Sequence, residues 1–396
     1  MKNLILVLNC GSSSIKFALF DADRAPLPLI PLWNGKVDGI TGPAPTYGQT
    51  GESPTQIELD AGQPYHAALA YINDRVSASL GNNRLMAVAH RVVHGGAKYC
   101  APVLVNATVL ADLRSYIPLA PLHQPFALDA IESLLALHRE LPQVACFDTA
   151  FHRTLPRVEQ MLPLPYSAWE RGLRRYGFHG LSYEFMSVAL AQRYGDGARK
   201  RTLVAHLGSG ASLCAMQGLR SIATTMGFSA LDGLMMGTRC GSLDPGALIY
   251  LMEVEKLTLH EIGQLLYHDS GLLGISGISS DPRELLRVED GNARVQDALA
   301  LYIRRIVREI GALVAVLGGL DMLVFTAGIG EHNPQIRARI CHNLGFLGVT
   351  LDDTANSANM PTISAAQSRI VVAVEPTNEE WVAASHARSL LSIISS

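Results

Sequence analysis

An α/β chain built from two like-folded halves is the architecture this sequence predicts, and three observations carry it. Apolar stretches of strand length alternate with segments whose apolar residues recur at helical spacing. A strand, a tight Gly/Ser turn and a second strand over residues 4–20 recur near mid-chain. There Leu6 aligns with Leu203, Val7 with Val204, Gly11 with Gly208 and Ser12 with Ser209, an offset of 208 − 11 = 197, close to half of the 396 residues. One offset of that size points to a duplicated domain, whereas a solenoid would show many short periods. The length agrees, because a chain of this size exceeds what one hydrophobic core normally supports.

The first strand follows Met1-Lys2-Asn3 as Leu4-Ile5-Leu6-Val7-Leu8. Its apolar stretch stops at Asn9, shorter than the roughly 7–15 residues of a secretory h-region, so a buried strand is expected rather than a leader. Residues 15–20 form its partner across the polar tip Gly11-Ser12-Ser13-Ser14. Residues 38–54, rich in Pro and Gly, read as surface loop. A short buried strand over 144–147 ends at Asp148. Helical spacing runs over 296–317, with Arg304, Arg305 and Arg308 on a second face; strands over 322–326 and 370–374 follow, the latter ending at Glu375. The longest apolar stretch, 310–320, is broken by Gly311, Gly318 and Gly319. It falls well short of the ~20 residues that span a bilayer and reads as a core helix, so no membrane partner is expected.

Composition narrows the function class. Apolar residues make up 48% and charged residues 17%, the balance of a compact globular protein. The net charge is 32 − 35 = −3 with no basic run, which argues against nucleic acid as a partner. The six cysteines form no C-x-x-C pair, so reduced thiols and a cytoplasmic location are expected rather than a zinc knuckle or a disulfide framework.

Three glycine turns could hold phosphate, which binds to backbone N–H donors backed by hydroxyls and a lysine. They are Asn9-x-Gly11-Ser12-Ser13-Ser14-x-Lys16, Gly208-Ser209-Gly210, and Ala327-Gly328-Ile329-Gly330-Glu331 directly after a strand. None matches G-x-x-x-x-G-K-[ST] or the dinucleotide fingerprint, and each by itself also reads as an ordinary tight turn. Arg91 and Arg239 stand in segments rich in polar groups, and a guanidinium fork suits a carboxylate or a transferring phosphoryl group; either also reads as a surface ion-pair partner. Asp148 ends a strand, where α/β sites collect, and His179 lies between Gly177 and Gly180. Glu379-Glu380 offers hard oxygens suited to Mg2+, or a solvated charge pair at a helix start. His90 and His94 are four apart but lack the Glu of H-E-x-x-H, which argues against zinc.

Segments 8–16, 90–96, Pro121-Leu122-His123, 147–152, 176–180, 235–240 and 326–331, taken together and in order, make the chain resemble the acetate and propionate kinase family over nearly its whole length. The resemblance implies the sugar kinase, Hsp70 and actin fold, of ribonuclease H-like type: two related α/β domains around a nucleotide cleft, usually in a homodimer. Residues 1–148 with 383–396 would form the N-terminal acyl-kinase domain, and 149–382 the nucleotide-binding and dimerisation domain. Carried over by resemblance, Asn9 and Glu379 are ligands of Mg2+, with Mn2+ an alternative. Lys16, Ser12 and Ser14 contact ATP, Arg91 takes the substrate carboxylate, and Asp148 is the active-site acid. His179 and Arg239 stabilise the transition state, while Val93, Leu122 and Phe178 line the pocket for the acyl methyl. His206, Leu207, Gly208, Ser209 and Gly210, then Asp281, Pro282 and Arg283, then Gly328, Ile329, Gly330, Glu331 and His332, resemble the family's ATP-binding loops.

The implied activity is reversible in-line transfer of the ATP γ-phosphoryl group to acetate, giving acetyl phosphate and ADP. Propionate is the second candidate acceptor. A non-enzymatic actin-like or Hsp70-like nucleotide-binding module is the alternative from another class, against which stand Arg91, His179 and Arg239, since such modules bind no small carboxylate. Three positions depart from the family pattern: Ser209 where Asn is common, His332 where Asn often follows, and Ala230 where a proline walls the acyl pocket. Alanine has two fewer carbons than proline, and each buried CH2 contributes roughly 0.8 kcal/mol, so the space released suits the extra methylene of propionate.

Overall fold

The computed structural model describes residues 1–121 and 123–395. It divides into two compact units, Met1–Ala150 with Asn378–Ser396, and Phe151–Thr377. The C-terminal return of the first unit thus starts at Asn378 rather than 383, which puts Glu379 in that unit. The physical reason is the helix Glu379–Ser395, which packs on the first unit's sheet through the small buried residues Ala383, Ala384 and Ala387 and is tied near its start by Trp381 Nε1–H donating to the Leu27 carbonyl at 3.1 Å.

In the first unit, eight strands among the described residues form one sheet: β1 (Asn3–Cys10), β2 (Ser14–Asp21), β3 (Trp33–Asp38), β4 (Thr46–Gln49), β5 (Thr55–Gln56), β6 (Arg84–Val92), β7 (Val103–Leu104) and β8 (Gln143–Phe147). Their order is β5-β4-β3-β2-β1-β6-β8-β7. The second unit has β9 (Arg201–Leu207), β10 (Ala211–Gln217), β11 (Arg220–Thr224), β12 (Met322–Thr326) and β13 (Val371–Val374), ordered β11-β10-β9-β12-β13. In each unit three antiparallel strands are continued by two parallel ones, so β3-β2-β1-β6-β8 and β11-β10-β9-β12-β13 share one topology. The expected duplication is therefore real. β2 starts at Ser14 and β10 at Ala211, and 211 − 14 reproduces the offset of 197. Both turns close on a glycine N–H, Gly11 to the Ser14 carbonyl at 2.8 Å and Gly208 to the Gly210 carbonyl at 3.0 Å.

The central strands are buried along most of their length, which parallel neighbours covered by helices require and which explains their near-continuous apolar runs. The expected strands at 144–147, 322–326 and 370–374 appear as β8, β12 and β13. The expected helix at 296–317 is Ala293–Leu317, opened by Asn292, whose side chain accepts the Val295 N–H, and closed by Gly318 at φ 70°. Residues 38–54 are a correction: β4 crosses them. Tyr47 of β4 is buried and stacks on Phe17 at 6.3 Å between ring centroids. A Cβ at Gly35 of β3, which pairs with Phe17 of β2, would meet Phe17 Cζ at 2.7 Å, so glycine here admits an aromatic ring rather than a turn. Among the described residues no helix is long and apolar enough to cross a membrane.

Candidate active site

In the first unit the register of two parallel strands sets the geometry. β6 and β8 pair Arg91 with Cys146 and Val92 with Phe147, and the Asp148 N–H continues the ladder to the Val92 carbonyl at 3.2 Å. Arg91 and Asp148 therefore stand together at the C-terminal ends of adjacent strands. Asp148 is 1% exposed and accepts two hydrogen bonds from one guanidinium, Arg91 Nη2 at 2.5 Å and Nε at 3.2 Å. Arg91 Nη1 donates to Asn9 Oδ1 at 3.1 Å, from the end of the neighbouring strand β1. Its Nε also lies 3.5 Å from Glu379 Oε2, at the start of the C-terminal helix, where a carboxylate suits the helix dipole. Burial opposes the Arg91 charge, but Asp148 and Glu379 outweigh it and hold its pKa above the ordinary guanidinium value. Arg91 remains 22% exposed, so its side chain is not closed off from solvent.

Glu379 is pushed the other way. Burial raises its pKa well above the usual carboxylate range, Arg91 pulls it back, and the like charges of Asp148 and Glu380 raise it further. A divalent cation would relieve that repulsion, and the donor set, one carboxylate beside the amide oxygen of Asn9, is hard oxygen of the kind Mg2+ takes. Among the described residues no group of three or more His, Cys, Asp or Glu side chains forms a metal cage. Lys16, directly across from Asn9 in the β1–β2 register, is exposed, as is Ser12; Ser14 is half-buried and Val93 buried. Leu122 lies outside the described residues.

In the second unit, glycines bring the polar groups together. His179 precedes the helix Gly180–Tyr194 in a left-handed conformation, φ 58° and ψ 26°, which a residue with a Cβ adopts at a cost. Gly177 upstream has φ 73°, and a Cβ there would lie 2.5 Å from His152 Cδ2. At Gly210 a Cβ would sit 3.0 Å from His179 Nε2 and 3.8 Å from Arg239 Nη1, so the Gly208-Ser209-Gly210 turn, His179 and Arg239 converge. The His179 and His206 rings stack at 4.1 Å with 14° between planes. Leu207 is fully buried at the end of β9, and Phe178 is buried beside His179. Arg239 Nη1 donates to the Ala230 carbonyl at 3.1 Å, and burial lowers the Arg239 pKa.

The other two loops adjoin this cluster. Thr326 pairs with His206 in the β12–β9 ladder, so the short helix Ala327–His332 starts beside it. Glu331 turns its carboxylate inward, accepting the Ala327 N–H at 2.7 Å and the Thr377 N–H at 3.1 Å, which closes the loop. Buried Arg337 fixes the Gly330 and Glu331 carbonyls at 2.8 and 2.9 Å; Gly328 and His332 are exposed and Ile329 half-buried. Asp281 caps the helix Pro282–Arg287 through the Arg283 N–H at 2.8 Å and pairs with the Arg283 side chain at 2.6 Å. This segment meets the Arg239 loop where a Cβ on Gly237 would strike the Ser280 carbonyl at 2.8 Å. Sequence reasoning missed Ser212 and Tyr183, both fully buried, the serine hydrogen-bonded to His179 Nδ1 and the tyrosine to that serine. The available signals were a lone serine in the apolar strand β10 and a tyrosine four residues beyond His179, within the first turn of the helix that follows it.

The acetokinase family model matches residues 4–385. The chain belongs to the acetokinase family. Among acetokinase relatives, the acetate kinase of Rhodopseudomonas palustris is 49% identical over 98% of both chains. Among solved structures, a propionate kinase from Francisella tularensis subsp. tularensis SCHU S4 superposes with a TM-score of 0.89 at 35% identity, covering 97% of this chain and 98% of that one. Porphyromonas gingivalis acetate kinase superposes with a TM-score of 0.86 at 35% identity, covering 98% and 100%.

The state of Glu379 makes a prediction about stability. A carboxyl with a raised folded pKa contributes stability that is full below its unfolded pKa and is lost as pH rises through the folded value. Glu379→Gln, neutral throughout, is expected to melt above the wild type at about pH 8.5 in EDTA, with the gap narrowing toward about pH 5.5. Calorimetric Tm values measure this; equal melting at the alkaline end would show that Glu379 ionises there without strain.

Proposed function

We propose that this protein is an acetate kinase that transfers the γ-phosphoryl group of Mg·ATP to a carboxylate oxygen of acetate, reversibly forming acetyl phosphate and ADP. The observation that carries the acceptor class is Arg91, a cation locked by Asp148 at strand ends and still 22% exposed, the kind of group that pairs with a small carboxylate. The acyl chain follows from the acetate kinase relative at 49% identity.

The chemistry asks little of a base, because acetate is already an anionic nucleophile. Catalysis reduces to alignment and to donors facing the equatorial phosphoryl oxygens. Arg91 orients the acceptor, and Asp148 keeps that guanidinium in place rather than abstracting a proton. His179 and Arg239 supply donors to the transferring group, each worth about 3–4 kcal/mol where oxyanion-hole precedents hold. Ser12, Ser14, Lys16 and the turns at 208–210, 281–283 and 328–332 hold the nucleotide. Asn9 and Glu379 would hold Mg2+, which when bound neutralises phosphate charge. Ala230, whose carbonyl accepts from Arg239 Nη1, sets the space beyond the methyl group.

The active form is a homodimer in the cytoplasm. The helix Pro245–Glu253 buries none of its residues although most are apolar. Ile249 at 57% exposure, Tyr250 at 55% and nearby Leu259 at 78%, with Leu243, Met252 and Val254, present more apolar surface than singly scattered residues do.

Two outcomes test this reading. With hydroxylamine as trap, acyl phosphate is expected to require acetate, with kcat/KM for acetate above that for propionate by up to about 100-fold, since one methylene is worth 1–3 kcal/mol. Ala230→Pro is expected to widen the gap; a propionate preference that this variant reverses would make the protein a propionate kinase. By sedimentation, the wild type is expected to be a dimer and Ile249→Glu/Tyr250→Glu a folded monomer, and a wild-type monomer at micromolar concentration would remove this surface from the interface.

A further inference from the structure

Behind His179 lies a hydrogen-bonded chain of hydroxyl groups. Ser212 Oγ is 2.8 Å from His179 Nδ1 and 2.5 Å from the Tyr183 hydroxyl, and neither Ser212 nor Tyr183 is exposed. Burial raises the Tyr183 pKa far above that of a free phenol, so its oxygen keeps its proton. Among the described residues Ser212 is the one hydrogen-bond partner of that phenol, and a buried O–H left without an acceptor is costly. Tyr183 therefore donates to Ser212. The serine proton is then left to the other neighbour, His179 Nδ1, which accepts it as an imine nitrogen. The imidazole proton is placed on Nε2, the nitrogen that faces the Gly210 backbone.

The stacked ring repeats the pattern. Thr377 Oγ1–H donates to Ser182 Oγ at 2.8 Å, and Ser182 lies 2.9 Å from His206 Nδ1. Two hydroxyl-to-serine relays thus reach the Nδ1 atoms of two imidazoles stacked at 4.1 Å, a spacing at which both rings carrying a positive charge would repel strongly.

We propose that Tyr183 and Ser212 are positioning residues that hold His179 as the neutral Nε2–H tautomer, so that the nitrogen facing the Gly208-Ser209-Gly210 turn is a hydrogen-bond donor. What the donor does rests on the phosphotransferase reading: a lone pair at Nε2 would repel phosphoryl oxygens, whereas an N–H stabilises the charge they carry. The left-handed backbone at His179 and the absence of a side chain at Gly210 fit this role, since together they let Nε2 approach the turn.

The test reads the tautomer directly. In protein labelled with 15N-histidine, long-range proton–nitrogen correlation at about pH 7.5, with the His179 signals assigned through His179→Gln, distinguishes the two tautomers and the imidazolium. The wild type is expected to show protonated Nε2 and unprotonated Nδ1, and Ser212→Ala a mixture. Ser212→Ala is expected to lower kcat by about 10–100-fold, as loss of a ring-orienting partner does, with KM for Mg·ATP and acetate little changed, and Ser212→Thr to recover most of the rate. Nδ1–H or imidazolium in the wild-type spectrum would overturn the proposal, and that spectrum decides it even if a variant fails to fold. Acetate-dependent hydroxamate from the same preparation tests the phosphotransferase reading separately.

Discussion

Asp148 buries a carboxylate at the end of a central strand, and a buried carboxylate persists there only with a cation hydrogen-bonded to it. Arg91 is that cation. Because β6 and β8 are parallel neighbours in fixed register, the two side chains leave the sheet side by side without a loop to position them. Removing either partner would strand a buried charge at a cost of about 3–5 kcal/mol, so the pair holds its geometry more firmly than a surface arginine would. Asn9 on β1 and Glu379 on the returning helix then come to the same guanidinium from two other elements. The pair thus fixes the point on which Asn9 and Glu379 converge.

In the second unit the organising force is close backbone approach. Gly177, Gly210 and Gly237 each stand where a Cβ would collide with a ring or a carbonyl; the bare Gly210 lets His179 and Arg239 crowd the turn after β9, and Gly237 lets Ser280 pack against the Arg239 loop. Placing donors at short range around a charge that develops on phosphoryl oxygens suits a reaction whose nucleophile arrives already ionised. The hydroxyl relays behind His179 and His206 extend the same economy, since orienting a neutral ring needs one proton in the right place rather than a buried counter-charge.

Much of this was legible in the sequence where chemistry and pattern coincide. The Gly11 and Gly208 turns announced the duplication because each half needs the same tight hairpin, and both sheets bear it out. Asp148 stood out as a strand-end carboxylate after an apolar run, and Arg91 as an arginine in a segment rich in polar groups. Residues 46–49 were illegible as a strand because Gly48 and the prolines and glycines around it mimic turn signals, while Phe17, the ring that buried Tyr47 stacks on, is thirty residues away in sequence. Tyr183 and Ser212 were missed because a buried tyrosine and a strand serine look like core until their hydroxyls are traced to one imidazole. The inward turn of Glu331 is invisible to a motif, which records a carboxylate and not the N–H groups of Ala327 and Thr377 that consume it.

The central claim is that an acetate oxygen, held by Arg91, attacks phosphorus. Turnover of ATP with acetate carrying 18O in both carboxylate positions, followed by 31P NMR of the acyl phosphate, tests it most directly. Direct attack predicts one 18O bonded to phosphorus, seen as an isotope shift of the acetyl phosphate resonance, with ADP unlabelled. Acyl phosphate whose phosphorus carries no 18O, or ATP consumed without acyl phosphate, would contradict it.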